Sequence, residues 1–196
     1  LDRAIGYEPI GRAFESLRVH FFSYKSWLFF DFREFEVPPT PHFTASHWMA
    51  EALSEAEKAA SIGEVPVGAV LLSAEGKELS RAHNLIEASK DCSAHAEILA
   101  IRTASKKIDS WRLSGCKLVV TLEPCPMCLT ALSLARVSEI YFGASDPRLG
   151  AAGSIFDLSA HPNFPTQIKV FSGILEEQCS SLLKSFFQKL RTPSKT

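Results

Sequence analysis

Cys125 and Cys128 stand three residues apart in the run Glu123-Pro124-Cys125-Pro126-Met127-Cys128, and this run constrains the fold more than any other stretch. Pro126 suits the first turn of a helix, where the missing N–H would have had no partner anyway. The run therefore joins a strand expected over 117–122 to a helix expected over 126–135. Residues three apart at a helix start place both sulfurs on the same side of the first turn. The unpaired N–H groups and the positive end of the helix dipole favour thiolate over thiol. A thiolate pair is a soft half-site for zinc. A half-site needs a further ligand, so the fold must bring another segment to this turn.

The best candidate for that segment is Ala94-His95-Ala96-Glu97, one predicted helix and one strand earlier. His95 sits at the start of its own predicted helix, so two helix N-termini can point at one spot. Three protein ligands (His95, Cys125 and Cys128) leave a fourth position for water, which marks a catalytic zinc site. Water there loses its proton near neutral pH and becomes a hydroxide nucleophile. Glu97 lies two residues beyond His95, a rotation of roughly 200° on a regular helix. The two can share a pocket only if the helix meets the site end-on. In that arrangement His95 holds the metal, and Glu97 stays free to move a proton from water to substrate. The plain alternatives are a core histidine and a solvated glutamate.

The surrounding pattern gives the fold class. Ser46 is expected to cap a helix running to about Ile62, with Met49, Leu53, Ala56 and Ala60 on one face. Residues 65–72 read as a buried strand, Glu75-Gly76 as a hairpin turn and 78–83 as a second strand. Helices are expected over 94–106 and 126–135, and strands over 117–122 and 139–142. A glycine-rich loop over 143–153 follows, then a short strand over 168–171. An amphipathic helix over 176–189 carries Leu182, Leu183, Phe186, Phe187 and Leu190 on its apolar side. Strands alternating with helices predict an α/β fold, a three-layer α/β/α sandwich around one central mixed sheet.

The prolines of Val37-Pro38-Pro39-Thr40-Pro41 mark a boundary that neither a helix nor a central strand can cross. Residues 44–196 are expected to form the zinc-dependent domain. Residues 1–43 crowd Phe21, Phe22, Phe29, Phe30, Phe32 and Phe35 without a helical or strand period. Two readings of them stay open. One is a separate extension, with Met49 or a nearby codon as an alternative beginning. The other is an ordinary N-terminal segment packed on the domain.

Bulk properties exclude some classes. With 46% apolar residues in a chain of 196, one real core is available. No stretch reads as a transmembrane helix, since His20, Lys25 and Asp31 interrupt the most apolar early segment. A net charge of −1 excludes a chain that binds polyanions over its whole surface; a local patch is required. Five cysteines and no secretory signal argue against a disulfide framework and fit a reducing, cytoplasmic setting. Cys92, Cys116 and Cys179 read as ordinary free cysteines, and Trp111 as a packing residue.

His-x-Glu followed by Pro-Cys-x-x-Cys is the signature of zinc-dependent nucleobase deaminases. From Ser46 to Arg191 the chain also resembles the bacterial tRNA-specific adenosine deaminases. The resemblance rests on Glu64-Val65-Pro66-Val67-Gly68-Ala69-Val70, Ala94-His95-Ala96-Glu97-Ile98, Thr121-Leu122-Glu123-Pro124-Cys125-Pro126-Met127-Cys128 and Phe142-Gly143-Ala144-Ser145-Asp146-Pro147. It continues in Gly150-Ala151-Ala152-Gly153-Ser154 and in Phe186-Phe187 of the tail. It implies a cytidine-deaminase-like fold, one zinc ion per subunit and a homodimer with RNA crossing near the subunit interface. The implied reaction converts adenosine to inosine at the anticodon wobble position, through zinc-bound hydroxide. The implied substrate contacts are Asn84, beside a flipped base, and Asp146; His161-Pro162 and the start of the tail match less well. Each has a plainer reading: Asn84 as a turn residue after a strand, Asp146 before Pro147 as a turn former. Gly150 and Gly153 are expected to serve backbone geometry. Lys184, Lys189, Arg191 and Lys195 could meet phosphates or simply face solvent. The tail is poorer in arginine than the family pattern. Two other functions remain open: deamination of free guanine or cytosine, and an inactive zinc-binding scaffold.

Overall fold

Near-continuous apolar runs in the central strands leave two apolar surfaces on one sheet, and the fold follows from covering both with helices. The structure is a computed structural model that describes residues 43–191. Helix α1 (Ala45–Ser61) leads into strands β1 (Gly68–Leu72) and β2 (Glu78–His83). A four-residue helix α2 (Ile86–Ser89) precedes α3 (Ala96–Lys107) and β3 (Lys117–Leu122). Helix α4 (Pro126–Leu134), β4 (Glu139–Ala144), β5 (Lys169–Phe171) and α5 (Glu176–Arg191) complete the described chain.

The sheet order is β2-β1-β3-β4-β5. β1 runs antiparallel to β2 and β3, while β3, β4 and β5 are mutually parallel neighbours. This is the mixed sheet that the sequence predicts. On β1, Ala69 and Leu71 face one side, where they meet Ala96 and Ala100 of α3 and Leu129 and Leu132 of α4. Val70 and Leu72 face the other side, with Met49 and Ala52 of α1 and Cys179 of α5. Two helical layers thus cover a sheet whose central strands β1 and β3 are buried on both faces, the expected α/β/α sandwich.

Several local expectations shift. α1 begins one residue before Ser46, with Thr44 in the N-cap position. Its buried face is Met49, Ala52, Glu55, Ala56 and Ala59, which leaves Leu53 and Ala60 half-buried. The cause is Gly68: a Cβ there would collide with the Ala52 carbonyl, so the glycine lets β1 press directly on the α1 backbone. β1 correspondingly starts at Gly68 rather than at residue 65. In α5, Cys179 is the buried residue; Leu182, Leu183, Phe186 and Phe187 are half-buried and Leu190 is exposed.

Phe43 opens the described chain and packs on this core. Its ring lies 4.8 Å from Tyr141, which in turn stacks on Phe171 at 4.6 Å. The reading of residues 1–43 as an extension falls, apart from Phe43, outside the described residues. Met49 is fully buried inside α1. No helix among the described residues is long and apolar enough to cross a membrane.

Candidate metal and catalytic site

His95 and Cys125 occupy the same structural position on two different helices. Each is an N-cap in extended backbone conformation, His95 at φ −71°, ψ 151° before α3 and Cys125 at φ −74°, ψ 170° before α4. Neither side chain caps its own helix. Both turn instead toward a shared point, joined by Cys128 from the first turn of α4. His95 Nδ1 lies 3.9 Å from Cys125 Sγ and 3.5 Å from Cys128 Sγ.

These three side chains are the group among the described residues that could hold a metal ion, with ligand atoms all within 4.8 Å of one another. Bonds of about 2.3 Å to sulfur and about 2.1 Å to nitrogen would separate tetrahedral N and S ligands by roughly 3.6 Å. The observed spacings bracket that value. The soft donor set and the two positive helix ends fit zinc. The thiol of Cys128 hydrogen-bonds the Cys125 sulfur and holds it as thiolate, pushed down to about 4. The same bond, with burial, pushes Cys128 up.

Glu97 stands in the first turn of α3 and is 3% exposed. Its Oε2 has no hydrogen-bond partner among the described residues. Burial pushes its carboxyl above the usual carboxylate range, against smaller opposing effects of its own backbone amide and His95. Because His95 lies outside the helix, the 200° rotation between the two positions does not separate them. The helix meets the site end-on, as the spacing required, and begins two residues later than the sequence pattern suggests.

Asn84 follows the last residue of β2 and is buried. Its Oδ1 accepts the N–H of Ala96 at 2.9 Å, so it closes the start of α3 between His95 and Glu97. Asp146 is half-buried and builds a turn: its Oδ1 accepts the N–H of Arg148 at 2.9 Å, and its carbonyl accepts the N–H of Gly150 at 3.0 Å. Trp111, read as a packing residue, is 53% exposed, with the guanidinium of Arg112 4.3 Å from its ring centre and that of Arg136 at 5.6 Å. His161, Lys184, Lys189 and Arg191 are exposed, and Lys195 lies outside the described residues.

Sequence reasoning left one buried group at the site without a role. Glu123 is 2% exposed and accepts N–H groups from Asp146, Ala152 and Ser154 at 3.0, 2.9 and 3.1 Å. The available signal was an acidic residue placed directly after a largely apolar strand.

Comparison with known proteins bears on this geometry. Residues 43–144 match the family described as the cytidine and deoxycytidylate deaminase zinc-binding region. The tRNA-specific adenosine deaminase of Bacillus subtilis is 48% identical over 148 residues, covering 76% of this chain and 91% of that protein. The chain belongs to the tRNA-specific adenosine deaminase family. A solved structure from a study of A-to-I editing by tRNA:A34 deaminases at the wobble position is 40% identical. It covers 70% of this chain and 99% of that one, with a TM-score of 0.68. A guanine deaminase structure from Bacillus subtilis is more distant, at 29% identity and a TM-score of 0.51 over 79% of this chain and 98% of that one. Membership of the adenosine deaminase family accords with the cytidine-deaminase-like fold and with a His/Cys/Cys group that could hold a zinc ion.

Proposed function

We propose that this protein hydrolyses adenosine to inosine at the wobble position of a tRNA anticodon, with zinc held by His95, Cys125 and Cys128. The observation that carries the chemistry is the buried carboxylate of Glu97, whose Oε2 has no hydrogen-bond partner among the described residues, beside a three-ligand group. A purely structural zinc site has no use for such a group, since leaving a buried carboxylate oxygen unpaired is costly. The choice of RNA is supported by the family's named substrate and by the match in the 143–154 loop.

Bound zinc supplies the Lewis acidity that makes water nucleophilic near neutral pH. The chain's own residues do the rest. A splayed-out adenine stacks and hydrogen-bonds in the pocket. Asn84 spends its oxygen on Ala96, and its amide N–H groups remain available to the base. Glu97 takes the proton from the attacking water and delivers it to the ring nitrogen. It then takes the remaining proton of the added hydroxyl, which becomes the carbonyl of inosine, and passes it to the departing amine. Adenosine and water become inosine and ammonia. Asp146 orders its turn and faces the RNA loop.

A homodimer belongs to the same reading. α4 exposes Met127 and Leu134, and the loop after β4 exposes Leu149, Ile155 and Phe156. Apolar side chains of this size are suited to cover by a second copy. Five free cysteines favour a reducing, cytoplasmic setting.

The test is incubation of the purified protein with an anticodon stem-loop, free guanine and free cytosine, each alone. Inosine in the RNA supports the reading. Ammonia from a free base with no inosine in RNA would replace it with a free-base deaminase, and no turnover of any of the three would leave a zinc-binding scaffold.

A further inference from the structure

Glu123 is the most heavily engaged buried carboxylate near the site, and zinc ligation and proton transfer leave it unused. Its Oε1 accepts the N–H of Ala152 at 2.9 Å and of Ser154 at 3.1 Å. Its Oε2 accepts the N–H of Asp146 at 3.0 Å and the hydroxyl of Ser154. One side chain thus ties together two stretches of loop eight residues apart. The adjoining backbone continues the attachment: Glu123 donates its N–H to the Ala144 carbonyl at 2.8 Å, and the Pro124 carbonyl accepts from Ala151 at 3.0 Å. Gly150 completes the fit, since a Cβ there would collide with the Glu123 carboxylate and the Asp146 carbonyl.

Cys125 is two residues along the same backbone. The turn that presents a sulfur to the metal group therefore also grips the loop carrying Asp146. We infer that Glu123 is a positioning residue: it fixes the 145–156 loop at a set distance from the metal group and so governs how tightly substrate is held. The inference rests on the deaminase reading for its effect on substrate. Its structural half needs no substrate at all.

Glu123→Gln separates the two halves. A carboxamide offers one oxygen, so at least one of the three backbone N–H groups must face an NH2 group. Amide hydrogen exchange on the zinc-loaded full chain should accelerate about tenfold at Asp146, Ala152 and Ser154, with the β3 amides unchanged. KM for the substrate that the wild-type protein turns over should rise about tenfold, with kcat within a factor of about three and zinc content unchanged. Ser154→Ala removes one of the four bonds and leaves the carboxylate in place. It should show the same pattern at smaller amplitude, even if Glu123→Gln folds poorly.

Unchanged exchange at those three amides in both variants would overturn the inference. So would faster exchange with KM unaltered, or a fall in zinc content and unfolding temperature alone, which would mark Glu123 as merely structural. Failure of the wild-type protein on RNA would sink the proposed substrate only. The KM comparison would then be made with the free base that it does turn over.

Discussion

Asn84 Oδ1, just after β2, accepts the backbone N–H of Ala96, the first residue of α3, at 2.9 Å. The bond solves a local conflict. A helix start needs an acceptor for its first N–H groups, and the N-cap side chain usually supplies one. Here the N-cap is His95, whose imidazole is turned to the two cysteines. Asn84 supplies the acceptor from another element and leaves the histidine free.

Asn84→Ala should therefore lower stability by about 1–2 kcal/mol, the usual cost of a lost N-cap. Asn84→Asp retains an acceptor and removes the amide N–H groups. It should keep most of the stability while turnover falls at least tenfold, read by thermal unfolding and steady-state kinetics on the same samples. If Asn84→Asp turns over like the wild type, Asn84 is a structural cap and nothing more.

Removing zinc with a chelator exposes the second consequence. Cys125 is half-exposed and its thiol is pushed down to about 4 by the hydrogen bond from Cys128. Cys116 and Cys179 are buried, and burial pushes both thiols up, Cys179 to about 11. Alkylation at pH 6 after chelation should label Cys125 and spare Cys116 and Cys179, as seen by peptide mass mapping. Added zinc should protect Cys125 and raise the unfolding temperature. Equal labelling of Cys125 with and without zinc would contradict the ligand assignment.

Acid stability turns on Glu55. Burial raises its pKa, but hydrogen bonds from Lys58 at 2.6 Å and His83 at 2.8 Å outweigh that, and the carboxyl lies below its ordinary 4.5. A depressed carboxylate stabilises the fold fully above its unfolded pKa, and the contribution disappears as pH falls through the folded value. Glu55→Gln should cost roughly 1–3 kcal/mol at pH 7. The gap between variant and wild type should close as pH drops below 4.5. Denaturant unfolding across pH 3–7 checks this, and a gap independent of pH would refute it.

The boundary of the folded unit is testable through Phe43. Its ring meets Tyr141, and the Lys117 ammonium lies 5.9 Å from its centre. A chain shortened to begin at Pro41 should match the full chain in unfolding temperature and turnover. Beginning at Thr44 should cost about 0.5–1.5 kcal/mol more for the lost aromatic pair. Aggregation of the Pro41 version would mean that earlier residues cover the core.

Much of this was readable in the chain. β2 and β3 lie where alternating and apolar runs bounded by turn residues place them. The three ligands and Glu97 come together because their spacing ties them to two helix starts. Other features had no sequence signature. The extended conformation of His95 is a backbone property, so the apolar pattern carried α3 two residues too early. α2 is four residues long, too short for any period to register. The buried face of α1 is set by contact with Gly68, on another element. Glu123 was visible in the motif, but its partners are backbone N–H groups, which every residue except proline carries.

The most direct test of the account joins metal, carboxylate and substrate in one measurement. Wild-type protein and Glu97→Gln, shown by elemental analysis to hold equal zinc, are each incubated with an anticodon stem-loop, and the wobble nucleotide is weighed by mass spectrometry. The wild type should shift it by about one mass unit as the amine becomes oxygen. Glu97→Gln should do so at least about a hundredfold more slowly, the loss of a general acid and base. A variant that works at the wild-type rate, or a wild type that leaves the nucleotide unchanged, would contradict the account.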